Sequence, residues 1–172
     1  STAVRRTAVY ALIQLLSNVP TEQSHQIRET VVEQLSATAD DTVAEPLVEI
    51  LSEGTQPAQQ RNTAWLLGRV LDDDSNRAAV DALVDSLREG GQMAQQFAAT
   101  SLAELGGTYV RQELIAVAED EKADSEARSQ AVFALGKAGD ERTRERLEKL
   151  IEETEDEQIR QKAFSALSKL GG

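Results

Sequence analysis

Apolar residues recur along this chain in stripes of helical period. Val43, Leu47, Ile50 and Leu51 fall at i, i+4, i+7 and i+8, the spacing that aligns one side of a half-buried helix. Val80, Leu83, Val84 and Leu87 repeat the stripe, as do Val110, Leu114, Val117 and Ala118, and then Leu147, Leu150 and Ile151. Val9, Leu12, Leu15 and Leu16 predict the same face near the start. No segment alternates Val, Ile and Thr with polar residues as a half-buried strand would. Ala and Leu dominate the apolar positions, and both favour helix.

A second kind of segment follows each stripe, and these segments resemble one another. Thr63-Ala64-Trp65-Leu66-Leu67-Gly68, Ala98-Ala99-Thr100-Ser101-Leu102-Ala103, Ala131-Val132-Phe133-Ala134-Leu135-Gly136 and Ala163-Phe164-Ser165-Ala166-Leu167-Ser168 align without gaps on a leucine. Val31-Val32-Glu33-Gln34-Leu35-Ser36 is a less regular copy. The leucines at 35, 67, 102, 135 and 167 are 32, 35, 33 and 32 residues apart, a period that marks a stacked repeat architecture. The chain is thus expected to form one repeat domain over 1–172, built of five helix pairs at about 1–40, 41–71, 72–106, 107–139 and 140–172.

Punctuation agrees with that division. Thr42-x-x-Glu45 and Thr154-x-x-Glu157 have capping-box form, and Asp74-Ser75, Asp124-Ser125 and Asp140 offer N-caps. Gly90-Gly91, Gly106-Gly107 and Gly139 stand where helices should stop, and Pro20 and Pro57 fall in connections. Pro46 comes early enough in its helix for the missing N–H to cost little.

The run Ala131-Val132-Phe133-Ala134-Leu135-Gly136-Lys137-Ala138-Gly139-Asp140 resembles the second-helix signature of the short HEAT repeats of the phycobilisome-lyase type. Glu45-Pro46-Leu47-Val48-Glu49-Ile50-Leu51 is similar to that family's first helix. The resemblance spans the chain and is weakest in the first pair. It implies an all-α superhelix, a HEAT-like solenoid of about five antiparallel helix pairs. Each pair completes its core only against its neighbours, with Ala98, Ala99, Ala131, Ala134, Ala163 and Ala166 allowing close approach. The second helices should line one concave surface.

Charge narrows the function. Thirty Asp and Glu against eighteen Lys and Arg give a net charge of −12. Nucleic-acid binding requires the opposite footprint, so none is expected. Lys is confined to positions 122, 137, 149, 162 and 169; an acidic, Lys-poor surface is a composition suited to high salt as well as to ordinary solubility. Cysteine is absent, which removes disulfides, thiolate metal sites and a Cys nucleophile. No apolar run is long enough to span a bilayer, and the opening residues lead straight into an amphipathic stretch rather than a signal peptide; a cytoplasmic protein is expected.

Catalytic signatures are missing. The single histidine, His25, is followed by Gln26, so the His-Glu pairs of HEAT-like metal oxygenases do not occur. There is no phosphate loop or dinucleotide fingerprint. The acidic runs Asp72-Asp73-Asp74 and Glu152–Glu157 lack the spacing and Gly of a calcium loop and read as solvated helix caps. No metal and no cofactor is expected.

Binding residues are easier to nominate. With each repeat leucine counted as position eight of its helix, positions three and six should face the concave side. Most are polar: Thr30, Glu33, Lys162 and Ser165. The middle pairs instead place Trp65 and Phe133 at position six and Phe97 at position three. With Arg61, Asn62 and Arg69 nearby, these compose a candidate partner-binding patch, since aromatic and Arg side chains dominate interface energetics. Phe164, at position five, is expected in the core. The chain thus reads as a non-catalytic scaffold for an unidentified protein partner; the phycobilisome-lyase resemblance implies, as an alternative, a lyase-like or chaperone-like subunit handling a tetrapyrrole.

Overall fold

The computed structural model describes residues 2–18, 21–37, 41–54 and 56–170, with the side chains at 2, 21–24, 36, 41 and 42 outside the description. Among the described residues there are ten helices and no strand. They are α1 (Thr2–Asn18), α2 (Thr21–Ser36), α3 (Asp41–Glu53), α4 (Pro57–Val70), α5 (Arg77–Glu89), α6 (Gln92–Leu105), α7 (Thr108–Glu119), α8 (Ser125–Ala138), α9 (Glu141–Glu153) and α10 (Glu157–Leu170). Each odd helix packs on the even helix that follows it, and connections this short force the two to run antiparallel.

The odd helices stack in one row and the even helices in another. From α4 onward the even helices approach one another more closely than the odd ones do, so the array curves with the even row inside. Small residues make this approach possible. A Cβ added at Gly68 of α4 would lie 2.4 Å from Ser101 Cβ and 2.8 Å from Ser101 Cα of α6. At the α8–α10 crossing, one at Gly136 would lie 3.1 Å from Ala166 Cα. Ser101 is buried there without cost, because its hydroxyl donates to the Ala64 carbonyl at 2.8 Å.

The core runs unbroken between the rows. The four stripes from Val43 to Leu150 are buried, with Ile151 half-buried, and the repeat leucines 67, 102 and 135 are sealed. Two expectations are corrected at the ends of the array. Phe164 is 57% exposed, whereas Ala64, Ala99 and Val132 at the same position are 0% exposed. Position five lies one turn before Gly68 and Gly136, whose side of the helix meets the following pair at Ser101 and Ala166, and no described helix follows α10. Leu15 is 50% exposed; the buried stripe of α1 is Val9, Ile13 and Leu16, and Leu15 lies on a flank that no described helix covers.

Caps refine the punctuation. Asp124 and Asp140 are the N-caps of α8 and α9, and Gly90, Gly106 and Gly139 are C-caps. Asn76, not Asp74, caps α5. Asp74 instead accepts the Tyr109 and Val110 amides at 2.7 and 3.4 Å, completing α7 in the next pair. Gly107, at φ 93°, permits this, since a Cβ there would lie 2.2 Å from the Asp74 carboxylate. Thr154 is the C-cap of α9, while Asp156 accepts the amides that open α10. Pro57 is the first residue of α4 rather than part of a connection. Pro20 lies outside the described residues and Thr42 outside the described side chains.

Candidate functional site

The site is built on α4. Trp65 is half-buried, its ring packed on the core. Two guanidinium groups flank it: Arg28 of α2, with Cζ 6.0 Å from the ring centroid, and Arg69, one turn along α4, at 5.9 Å. Both are at the outer reach of a cation–π contact. Arg69 also pairs with Glu29 of α2 at 3.7 Å.

Asn62 was expected to face a partner, but it is 3% exposed. It is a positioning residue. Its Oδ1 accepts from Arg28 Nη2 at 3.4 Å, and its Nδ2 donates to Ser17 Oγ of α1 at 3.4 Å. Arg61, half-buried, stands close enough to Arg28 for its charge to be felt there. The Arg28 guanidinium is held below its usual pKa by burial first and by the Arg61 charge second. The Nε atoms of both arginines are buried without an acceptor among the described residues.

The remaining rings lie further along the even row. Phe97 of α6 is half-buried and packs on the core. Phe133 of α8 is 41% exposed, and Lys169 of α10 holds its ammonium 5.0 Å from the ring centroid. Thr30, Glu33, Lys162 and Ser165, at the corresponding positions of the end pairs, are all exposed. Arg61, Asn62, Trp65 and Arg69 thus form one cluster with Arg28, and the phenyl rings are carried on the next two even helices.

Arg28 was not foreseen, and its signal lies in position one of the repeat. In three of the other four pairs that position is a structural strap. Gln60 donates to the Gly54 carbonyl at 2.7 Å, Arg128 to Ala118 at 3.0 Å, and Arg160 to Thr154 and Ile151. In pairs two, four and five it therefore satisfies carbonyls that the preceding helix leaves open at its end. Gln95 turns instead to Asp124 at 3.2 Å. Arg28 departs from the strap and points to α4. Arg61 is also out of pattern, because position two elsewhere is Glu29, Gln96, Ser129 or Gln161.

A cavity of about 620 Å³ opens beside the ends of α7 and α9, lined by Glu119, Arg128, Lys149, Glu153 and Asp156 among others. Its Arg128 is the strap just described. Among the described residues no cluster of three or more His, Cys, Asp or Glu side chains could hold a metal ion. No helix among them is long and apolar enough to cross a membrane.

This geometry defines the class: an α-solenoid of paired helices with a mixed aromatic and cationic cluster on its inner row. Residues 112–172 match the family model for HEAT repeats. The chain is 49% identical over 161 residues to a HEAT repeat-containing taxis protein of Halobacterium salinarum, an alignment covering 93% of this chain and 40% of that relative. The chain therefore spans less than half of the relative's length. Both matches support kinship with HEAT-repeat proteins. Among solved structures, a designed armadillo repeat protein aligns with a TM-score of 0.52 at 18% identity, covering 95% of this chain and 82% of that one. A further engineered protein aligns at 0.50 and 21% identity, covering 94% and 80%. At these identities the likeness is one of fold alone.

Proposed function

We propose that the chain is a non-catalytic scaffold that takes a protein partner along its even-helix surface, through Trp65, Phe97 and Phe133 with Arg61 and Arg69. Asn62 serves from beneath by fixing Arg28. The observation that carries this reading is the pairing of rings with cations on the inner row, at Trp65 and Phe133, in a chain of net charge −12. Aromatic surface next to Arg is the usual chemistry of an interface anchor. The name of the 49% identical relative adds a process: we read this chain as an adaptor in a taxis pathway. The cytoplasm is the corresponding location.

The test is affinity purification at several salt concentrations with wild type and with Trp65→Ala combined with Phe133→Ala. A partner carried by wild type should be lost from the double variant, while circular dichroism stays helical. Retention of that partner by a folded double variant would remove these rings from the interface. The tetrapyrrole reading makes a separate prediction: added bilin would quench Trp65 and acquire induced visible dichroism. The scaffold reading expects neither.

A further inference from the structure

We infer that Arg28, over the Trp65 ring, and Arg61 near it form a receptor for a carboxylate side chain, so that the partner segment docking here is acidic. This rests on the scaffold reading above and names the chemistry of the occupant. The argument begins with charge. Thirty Asp and Glu side chains are available in this chain, and several of its arginines engage one. Arg6, Arg88, Arg111, Arg144, Arg146 and Arg160 each hold one. Arg28 and Arg61 hold none among the described residues, although Arg61 is near enough for its charge to act on Arg28. Each also keeps a buried Nε without an acceptor. The nearby carboxylate that the cluster does contain, Glu29, is engaged by Arg69.

Two adjacent guanidiniums without a counter-charge repel each other, and partial burial strengthens the repulsion. An anion arriving between them relieves that repulsion and gains charge-assisted hydrogen bonds from two planar forks, the donor geometry that matches a carboxylate. The forks are partly pre-set. Asn62 holds Arg28 and is itself held by Ser17, and the Trp65 ring supplies a rigid apolar floor for the methylene groups of an incoming Glu or of an apolar neighbour. Extent decides between kinds of anion. A nucleic-acid backbone needs a long basic track, and the rest of the even row interleaves Arg69, Arg128, Lys137, Arg160, Lys162 and Lys169 with as many glutamates rather than forming one. A local pair of cations suits one or two side chains on an otherwise apolar or neutral segment.

Trp65 is the single tryptophan of the chain, so its emission reports the site directly. The probe is a short synthetic peptide of alternating leucine and glutamate, titrated against the whole chain. Its glutamine counterpart and inorganic phosphate serve as separate arms. The expected result is a saturable change in Trp65 emission with the glutamate peptide. Affinity should fall at least about tenfold for the glutamine peptide, and by a similar factor in Arg28→Gln and in Arg61→Gln. The thermal midpoint of Arg61→Gln should not fall, because the substitution removes a like-charge contact. Equal binding of the two peptides would overturn the proposal, as would unchanged affinity in both variants or a saturable response to phosphate with none to the glutamate peptide. If the co-purifying partner is lost from Trp65→Ala with Phe133→Ala but kept by Arg28→Gln with Arg61→Gln, the scaffold reading stands and the carboxylate receptor falls.

Discussion

Asp140 shows how much local order a single exposed carboxylate supplies. Its Oδ1 accepts the Thr143 amide at 3.1 Å, while Thr143 Oγ1 accepts the Asp140 amide at 3.1 Å. The Thr143 amide foremost, with the Thr143 hydroxyl that also donates to Oδ1, holds the Asp140 carboxyl below its usual pKa. Asp124 and Asp156 are lowered too, chiefly by the side chains of Gln95 and Ser125. A carboxyl whose folded pKa is depressed contributes stability above its unfolded value, near 3.9, and loses it as pH falls through the folded value. The melting temperature should therefore drop on acidification below about pH 4. Asp140→Asn, which keeps a good N-cap but cannot titrate, should make that drop shallower, whereas Asp140→Ala should cost about 1 kcal/mol at neutral pH. Thermal melts between neutral and strongly acidic pH check both. Asp124 and Asp140 are readable because each stands immediately before its own helix, whereas Asp74, two residues before the cap of α5, serves the next pair instead. Asn62 was misread for the opposite reason: polarity alone does not tell a solvent-facing amide from a buried one that orients a neighbour. Arg28 is not legible because position one is Gln or Arg in every pair, and only coordinates show that Gln60, Arg128 and Arg160 reach back to carbonyls while Arg28 does not.

At the scale of helices, the period of the repeat leucines carried most of the information. It located the even helices, and the stripes located the odd ones, because apolar spacing directly records which side of a helix is buried. What it could not reveal was the difference in spacing between the two rows, which depends on single small residues. Gly68 is the sharpest case. Gly68→Ala would drive a methyl group against Ser101 backbone and side chain, so α4 and α6 would have to separate. The expected loss is about 1–3 kcal/mol, measured by urea unfolding, even though Ala is the better helix former. A neutral or stabilising result would show that the even row has slack. Phe164 belongs to the same lesson. Its register within the repeat was right, but burial at position five is conferred by the next pair rather than by its own helix.

Across the whole molecule, composition foretold charge better than partner. Ion pairs such as Arg88–Asp120 at 2.7 Å and Arg111–Asp140 at 3.3 Å link consecutive pairs, yet exposed pairs of this kind contribute little individually. A net charge of −12 opposes compaction along the full length. Added salt should screen that repulsion more than it weakens the pairs. The melting temperature is expected to rise by about 5 °C or more between about 0.1 M and 2 M sodium chloride. A melting temperature that falls with salt would mean that the ion-pair ladder outweighs the excess charge. The partner was not legible from composition, since bulk acidity suggests a basic ligand while the Arg28–Arg61 cluster has the opposite local sign.

The reach of Asp74 across a pair boundary bears on how the solenoid comes apart. The first turn of α7 is finished by a carboxylate from the connection that precedes α5. Amide exchange at Tyr109 and Val110 is therefore governed by chain some thirty-five residues earlier, not by the helix to which those amides belong. The thermodynamic seam does not coincide with the seam in the sequence: when the segment around Asp74 melts, the opening of the neighbouring pair loosens with it, and unfolding crosses from one repeat into the next as a single event.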